Sequence, residues 1–291
     1  MKIKLRAELL VASLLGLAVF ATACGRFLPM VDPPLEPSAT AAPTATPTPM
    51  PTPTPAGCME TSGHIERVAV PSALLEGTLW VSVYTPPCYS EQPEAPYPVL
   101  YLLHGQGQDD SLWPGLGIQA IVDEAIVAGQ QPFLIVMPFE ERNFDAVGDS
   151  KFPAAVMQEL LPWVEANYPT CTERACRAIG GISRGGGWAV NIALRNFDTF
   201  GAVGAHSMGL MPGDWWYVSH LLETHTAAEF PRIYMDRGEN DFLAEDIDLF
   251  ESALTDGGIA HEFHIWPGQH ELAYWQAHVA DYLDWYMQGW Q

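Results

Sequence analysis

From residue 64 onward, short runs rich in β-branched and aromatic residues alternate with longer stretches whose apolar residues recur at helical spacing. This alternation predicts strands interleaved with amphipathic helices, and so an α/β domain on a mainly parallel sheet. Eight strands are expected, at 64–70, 78–85, 97–103, 132–137, 176–180, 202–206, 232–236 and 261–266. The first two read as a hairpin. The third is apolar almost throughout, as a strand covered on both faces must be. Helical patterns fall near 116–128, 153–167, 184–196, 243–255 and 270–288, with Leu160, Trp163 and Val164 marking one apolar face.

The chain before residue 58 breaks this pattern. Lys2, Lys4 and Arg6 precede an apolar run from Leu9 to Phe20 and then small residues before Cys24, the architecture of an export signal and too short for a membrane-spanning helix. Phe20-Ala21-Thr22-Ala23-Cys24 resembles a bacterial lipoprotein cleavage box, with Ala21 where Leu is usual. The expectation is that residues 1–23 are removed and Cys24 is lipidated; an ordinary cut after Ala23 is the alternative. Residues 24–57 are dominated by Pro, Thr and Ala, which reads as an extended, disordered tether. Residues 58–291 then form one domain, exported and held to a membrane by the N-terminal lipid.

Charge and cysteines narrow the partners. The net charge is −22, and more acidic once Lys2, Lys4, Arg6 and Glu8 are gone. Such a surface repels phosphate backbones, which excludes nucleic acid as a partner. Cys58, Cys88, Cys171 and Cys176 are an even set in an exported chain and favour disulfides over reactive thiols. Three connectivities are possible; if 64–70 and 78–85 pair as an antiparallel hairpin, the register carries Cys58 nearly opposite Cys88, and Cys171 and Cys176 then close a small loop. Their spacing lacks the paired C-x-x-C of zinc motifs, so no metal is expected.

The chemistry centres on Gly181-Ile182-Ser183-Arg184-Gly185, a G-x-S-x-G between an apolar strand and a helix. A nucleophile elbow needs that context: the turn is so tight that flanking residues must be small, and the helix N-terminus presents N–H groups to a developing oxyanion. A serine hydroxyl also needs a base oriented by an acid, in the chain order Ser, acid, His. His270, in the loop after the eighth strand, is the candidate base; His261, His264 and His278 read as strand or helix residues. Asp241, beyond the seventh strand, is preferred as the acid over Asp236 and Glu239, with Asp236 expected to brace the loop or pair with Arg237. The oxyanion donors are expected to be the main-chain N–H groups of Arg184 and of Gln106, the latter in the turn Leu103-His104-Gly105-Gln106-Gly107-Gln108; His104 reads as a structural side chain bonding that loop. Met208, Trp215 and Trp216, between the sixth and seventh strands, and Trp113 are candidate pocket residues.

Tyr97-Pro98-Val99-Leu100-Tyr101-Leu102-Leu103-His104-Gly105, Glu159-Leu160-Leu161-Pro162-Trp163-Val164-Glu165, the elbow and Gly268-Gln269-His270 together resemble the putative-esterase family of α/β-hydrolases, which includes feruloyl esterases, S-formylglutathione hydrolases and enterochelin esterases. The resemblance implies an eight-stranded α/β-hydrolase fold, cofactor-free ester hydrolysis with Ser183, Asp241 and His270 as the triad, and a small-molecule or carbohydrate-linked ester as substrate. Arg184 stands where relatives often carry Met, and Gln106 where many carry an apolar residue, so the substrate is not inherited. A serine peptidase, an acyltransferase or a binding protein on the same scaffold are the rival readings.

Overall fold

A computed structural model describes residues 58–290. The signal segment, Cys24 and the Pro/Thr-rich stretch lie outside the described residues. Eight strands form one sheet: β1 (His64–Ser72), β2 (Gly77–Thr85), β3 (Val99–Leu103), β4 (Leu134–Pro138), β5 (Arg177–Ile182), β6 (Ala202–His206), β7 (Arg232–Gly238) and β8 (Glu262–Trp266). The helices are α1 (Leu112–Gly115), α2 (Ile118–Val127), α3 (Phe152–Ala155), α4 (Leu161–Asn167), α5 (Arg184–Arg195), α6 (Asp214–Leu221), α7 (Ala244–Asp256) and α8 (Leu272–Met287). This is the expected α/β-hydrolase fold.

The sheet runs β1-β2-β4-β3-β5-β6-β7-β8. β2 pairs antiparallel with both β1 and β4, and every pairing from β4 to β8 is parallel. Strand side chains alternate between faces, and the central strands use this to feed two cores. Val99, Tyr101, Leu103, Leu134 and Val136 pack with α3 to α7, whereas Leu100, Leu102, Ile135 and Met137 pack with α2 and α8. The chain winds one way from β3 to β4 and the other way from β5 onward. The crevice at the carboxyl ends of β3 and β5 is therefore a topological switch point, where open α/β sheets bind ligands.

Small residues let α8 press onto the sheet. Gly180 and Gly204 are register partners on β5 and β6, and a Cβ on either would lie 1.7 or 1.8 Å from the Tyr286 hydroxyl of α8. Disulfides join Cys58 to Cys88 and Cys171 to Cys176, the expected pairing.

The pattern at 116–128 is met by α2, with the single turn of α1 before it, set off where Gly117 takes φ 89°. Two helical expectations change. The pattern at 153–167 is continuous but contains a π-helical turn, Val156–Leu160, between α3 and α4. Pro162 lies at the start of α4 and has no N–H to give the preceding turn. α6 was not anticipated: only Asp214, Val218 and Leu221 are buried along it, too weak an apolar stripe to announce a helix.

Candidate active site

β5 ends at Ile182 and α5 begins at Arg184, so Ser183 alone makes the turn, at φ 56° and ψ −122°. A side chain there is strained, and the strain persists only because the surroundings fix the backbone. The Ser183 N–H donates to the His206 carbonyl at 2.9 Å, and its own carbonyl accepts from Gly187 at 3.1 Å and Gly209 at 2.9 Å. Glycines are obligatory on both sides: a Cβ on Gly181 would sit 2.4 Å from the Gly185 carbonyl, and one on Gly185 would sit 2.4 Å from the Leu103 oxygen.

His270 Nε2 lies 2.8 Å from Ser183 Oγ, and Nδ1 lies 3.0 and 3.2 Å from the two Asp241 oxygens. The loops carrying acid and histidine are stitched together, with Glu239 N–H donating to Trp266 O at 2.8 Å and Asn240 N–H to Gly268 O at 3.0 Å. Gly238 permits the approach, since a Cβ there would lie 2.6 Å from the Gly268 oxygen. Burial pushes the Asp241 carboxyl up, but hydrogen bonds from His270 and the Leu243 N–H outweigh it and hold the group below its ordinary value. An ionised Asp241 places the imidazole proton on Nδ1 and leaves Nε2 to accept the Ser183 O–H.

Arg184 is the first residue of α5, where an N–H has no carbonyl one turn back. The Gln106 N–H likewise has no acceptor among the described residues. Its loop is built from neighbours on both sides. The Gly105 N–H donates to Gln108 Oε1 at 3.1 Å, and the Gly107 N–H to Asn143 Oδ1 at 2.8 Å. His104 is structural, as expected. Its Nε2 accepts the Glu140 N–H at 2.9 Å, so the proton sits on Nδ1, which donates to Gly105 O at 2.8 Å. Burial lowers its pKa and keeps the ring neutral.

A strained serine joined to a His–Asp pair, beside two N–H groups without acceptors, can carry out acyl transfer, and a family model described as Putative esterase matches residues 72–286. The chain belongs to that esterase family. The esterase is 27% identical over 222 residues to an endo-1,4-beta-xylanase/feruloyl esterase of Xylanibacter ruminicola, which covers 70% of this chain and 30% of that much longer protein. It is 26% identical over 223 residues to an acetyl esterase of Caldicellulosiruptor saccharolyticus, covering 64% of this chain and 82% of the relative. Among solved structures, a ferulic acid esterase superposes with a TM-score of 0.70 at 26% identity, over 79% of this chain and 99% of that one.

Two expected pocket residues of the esterase belong to its core. Trp113 is 1% exposed, donates its indole N–H to Leu103 O at 3.2 Å and packs edge-on to His206. Met208 is fully buried against Gly186 in the first turn of α5. Both follow strand ends, where apolar residues are drawn beneath the loops. Trp215 and Trp216 are exposed on α6. The expected pairing of Asp236 with Arg237 is also corrected. Arg237 binds Asp248 at 2.7 Å, while Asp236 is fully buried, bonds His206 Nδ1 at 2.7 Å and accepts the hydroxyls of Tyr274 and Tyr282 at 2.8 Å.

The exposed apolar rim was missed. Phe242, 76% exposed, lies with its ring 4.5 Å from that of His270. Phe144, 74% exposed, faces Gly107 of the oxyanion loop. A large apolar residue beside the acid in an otherwise polar loop was the available signal for Phe242. Phe144 follows Glu140 and Asn143 in a loop with no motif.

Proposed function

We propose that this esterase cleaves its substrate through an acyl-enzyme on Ser183, outside the cytoplasm, and that feruloyl or acetyl esters of carbohydrate are its substrate class. The observation that carries the reading is the His270 imidazole, bridging Ser183 Oγ and Asp241. In the first step Nε2 takes the Ser183 proton as Oγ attacks the ester carbonyl, and the tetrahedral oxyanion lies against the Arg184 and Gln106 N–H groups. Collapse expels the alcohol, which receives the proton from His270. Water, deprotonated by the same nitrogen, then releases the acid and restores the serine. Asp241 fixes the imidazole tautomer and stabilises its charged form.

The substrate class draws on the names of the two relatives and on the exposed Phe144 and Phe242 flanking the triad. Export draws on the signal-like N-terminus and on two disulfides in one small domain. A fluorophosphonate probe is expected to label wild type at Ser183, and failure to label would overturn the acyl-enzyme reading. A panel of feruloyl, acetyl-sugar and graded-chain p-nitrophenyl esters, with peptide amides as controls, assigns the substrate. Mass spectrometry of the mature N-terminus reads the anchor: an unmodified Cys24 removes it.

A further inference from the structure

One short segment after β4 reaches both halves of the oxyanion hole. Glu140 is 3% exposed, and its carboxylate accepts from four donors. Oε2 takes Arg184 Nε at 2.9 Å and Trp188 Nε1 at 3.0 Å, while Oε1 takes Arg184 Nη2 at 2.7 Å and Ser150 Oγ at 3.2 Å. The fork holds the side chain of the residue whose own N–H is one oxyanion donor. Three residues on, Asn143, 4% exposed, holds the other half. Its Oδ1 accepts the Gly107 N–H at 2.8 Å, and its Nδ2 donates to Gln108 O at 3.2 Å and to Glu140 O at 2.9 Å. The Glu140 N–H meanwhile anchors His104 at the base of the same loop.

We infer that Glu140 and Asn143 are positioning residues that set the spacing between the Arg184 and Gln106 N–H groups. The inference rests on the acyl-enzyme reading of Ser183. β3 and β5 are adjacent in the sheet, but the loop after β3 and the first turn of α5 must also agree in height above it. A donor is effective only within about 2.7–3.1 Å of the oxyanion, so a small shift of either half loses rate. Glu140 to Asn143 is one rigid turn bonded to both. A buried ion pair is weak evidence for stability, since its desolvation cost offsets its attraction. That makes orientation the more economical account of an Arg–Glu fork beside the nucleophile.

The test uses the Glu140→Gln and Asn143→Ala variants and the Glu140→Gln/Arg184→Met pair, which removes both buried charges while keeping the Arg184 main chain. With p-nitrophenyl acetate, each single variant is expected to lose about tenfold to a hundredfold in kcat, less than deletion of an oxyanion donor, with KM within about threefold. The Ki of an aryl trifluoromethyl ketone, which forms the tetrahedral adduct, should rise in step with the fall in kcat/KM. In the paired variant Tm should recover while kcat stays low. The inference is overturned if Asn143→Ala, which carries no charge and is the safer folder, keeps wild-type kcat. It is also overturned if kcat recovers together with Tm in the paired variant, or if the ketone's Ki does not move. A wild type inert to both ester and fluorophosphonate would instead strike the acyl-enzyme reading itself.

Discussion

The esterase contains two Asp–His pairs whose aspartates, Asp236 and Asp241, lie on one stretch of chain at and after the end of β7, and the surroundings of the two pairs are opposite. In each, a carboxylate after or at the end of β7 bonds Nδ1 of an imidazole: Asp241 to His270 at 3.0 Å, Asp236 to His206 at 2.7 Å. They differ in what the other nitrogen faces. His270 Nε2 meets the Ser183 hydroxyl at a site partly open to solvent, whereas His206 Nε2 meets the Tyr286 hydroxyl at 3.1 Å with no exposure at all. Around Asp236, burial and then the neighbouring carboxylate push the Tyr274 and Tyr282 hydroxyls far up, so they remain protonated donors. The shorter hydrogen bond belongs to the pair with no access to substrate. On the acyl-enzyme reading, an Asp–His pair is suited to catalysis by the group on the far nitrogen and by an open face, not by the shortness of its own hydrogen bond.

Exchanging the acid in each pair separates the two roles, and chemistry should show the larger effect. Asp241→Asn is expected to cost kcat about ten-thousand-fold, because an amide no longer selects the tautomer with Nε2 free. Ser183→Ala should cost about a million-fold. Ser183→Ala should leave Tm near wild type, and Asp241→Asn should lower it only slightly at neutral pH. Steady-state kinetics with a chromogenic ester checks the pair, and a residual rate above one-hundredth of wild type in Asp241→Asn would contradict the assignment.

Asp236→Asn should do the reverse. It turns one of the two carboxylate oxygens, which between them accept from His206 and two tyrosine hydroxyls, into an NH2 donor that faces other donors in a fully buried site, at a cost of about 3–5 kcal/mol. That corresponds to roughly 10 °C in Tm for a domain of this size, while activity per titrated active site should stay within about tenfold of wild type. Tyr286→Phe probes the same network more gently. Losing the one hydroxyl on His206 Nε2 should cost about 1–2 kcal/mol, read by urea unfolding at constant m.

The Asp241–His270 pair was legible in the sequence because its geometry is set by local rules. A G-x-S-x-G between strand and helix, and an acid and histidine at the ends of later strands, are consequences of chain order in a parallel sheet. His206 looked like an ordinary strand residue and Asp236 like a rival acid or a brace for its loop, and nothing local says that Tyr274, Tyr282 and Tyr286 of one helix will converge on them. That convergence depends on the missing side chains of Gly180 and Gly204, two strands that become neighbours only in the folded sheet. Trp113 and Met208 were misplaced for the same reason. An apolar residue beyond a strand end is equally consistent with a pocket wall and with the core until neighbouring helices are positioned. Glu140 and Asn143 had no motif at all, since their partners in the β3 loop and α5 lie 35 to 48 residues away in sequence.

The smallest expected difference between the pairs is in acid. The folded-state value of Asp241 lies below the ordinary one, near 3.9 for an unfolded Asp. Between those two values the unfolded chain binds a proton that the folded chain does not. Stability therefore falls as pH drops through that window, and the contribution is fully present above it. Asp241→Asn removes the titration. Wild type and variant should thus differ least in stability at the acid end and most above about pH 4.5, a trend that urea midpoints measured from neutral pH down to pH 3 would reveal. A difference that stayed constant across the range would mean that the His270 and Leu243 bonds do not favour the charged carboxylate, and that Asp241 resembles its buried counterpart in serving structure alone.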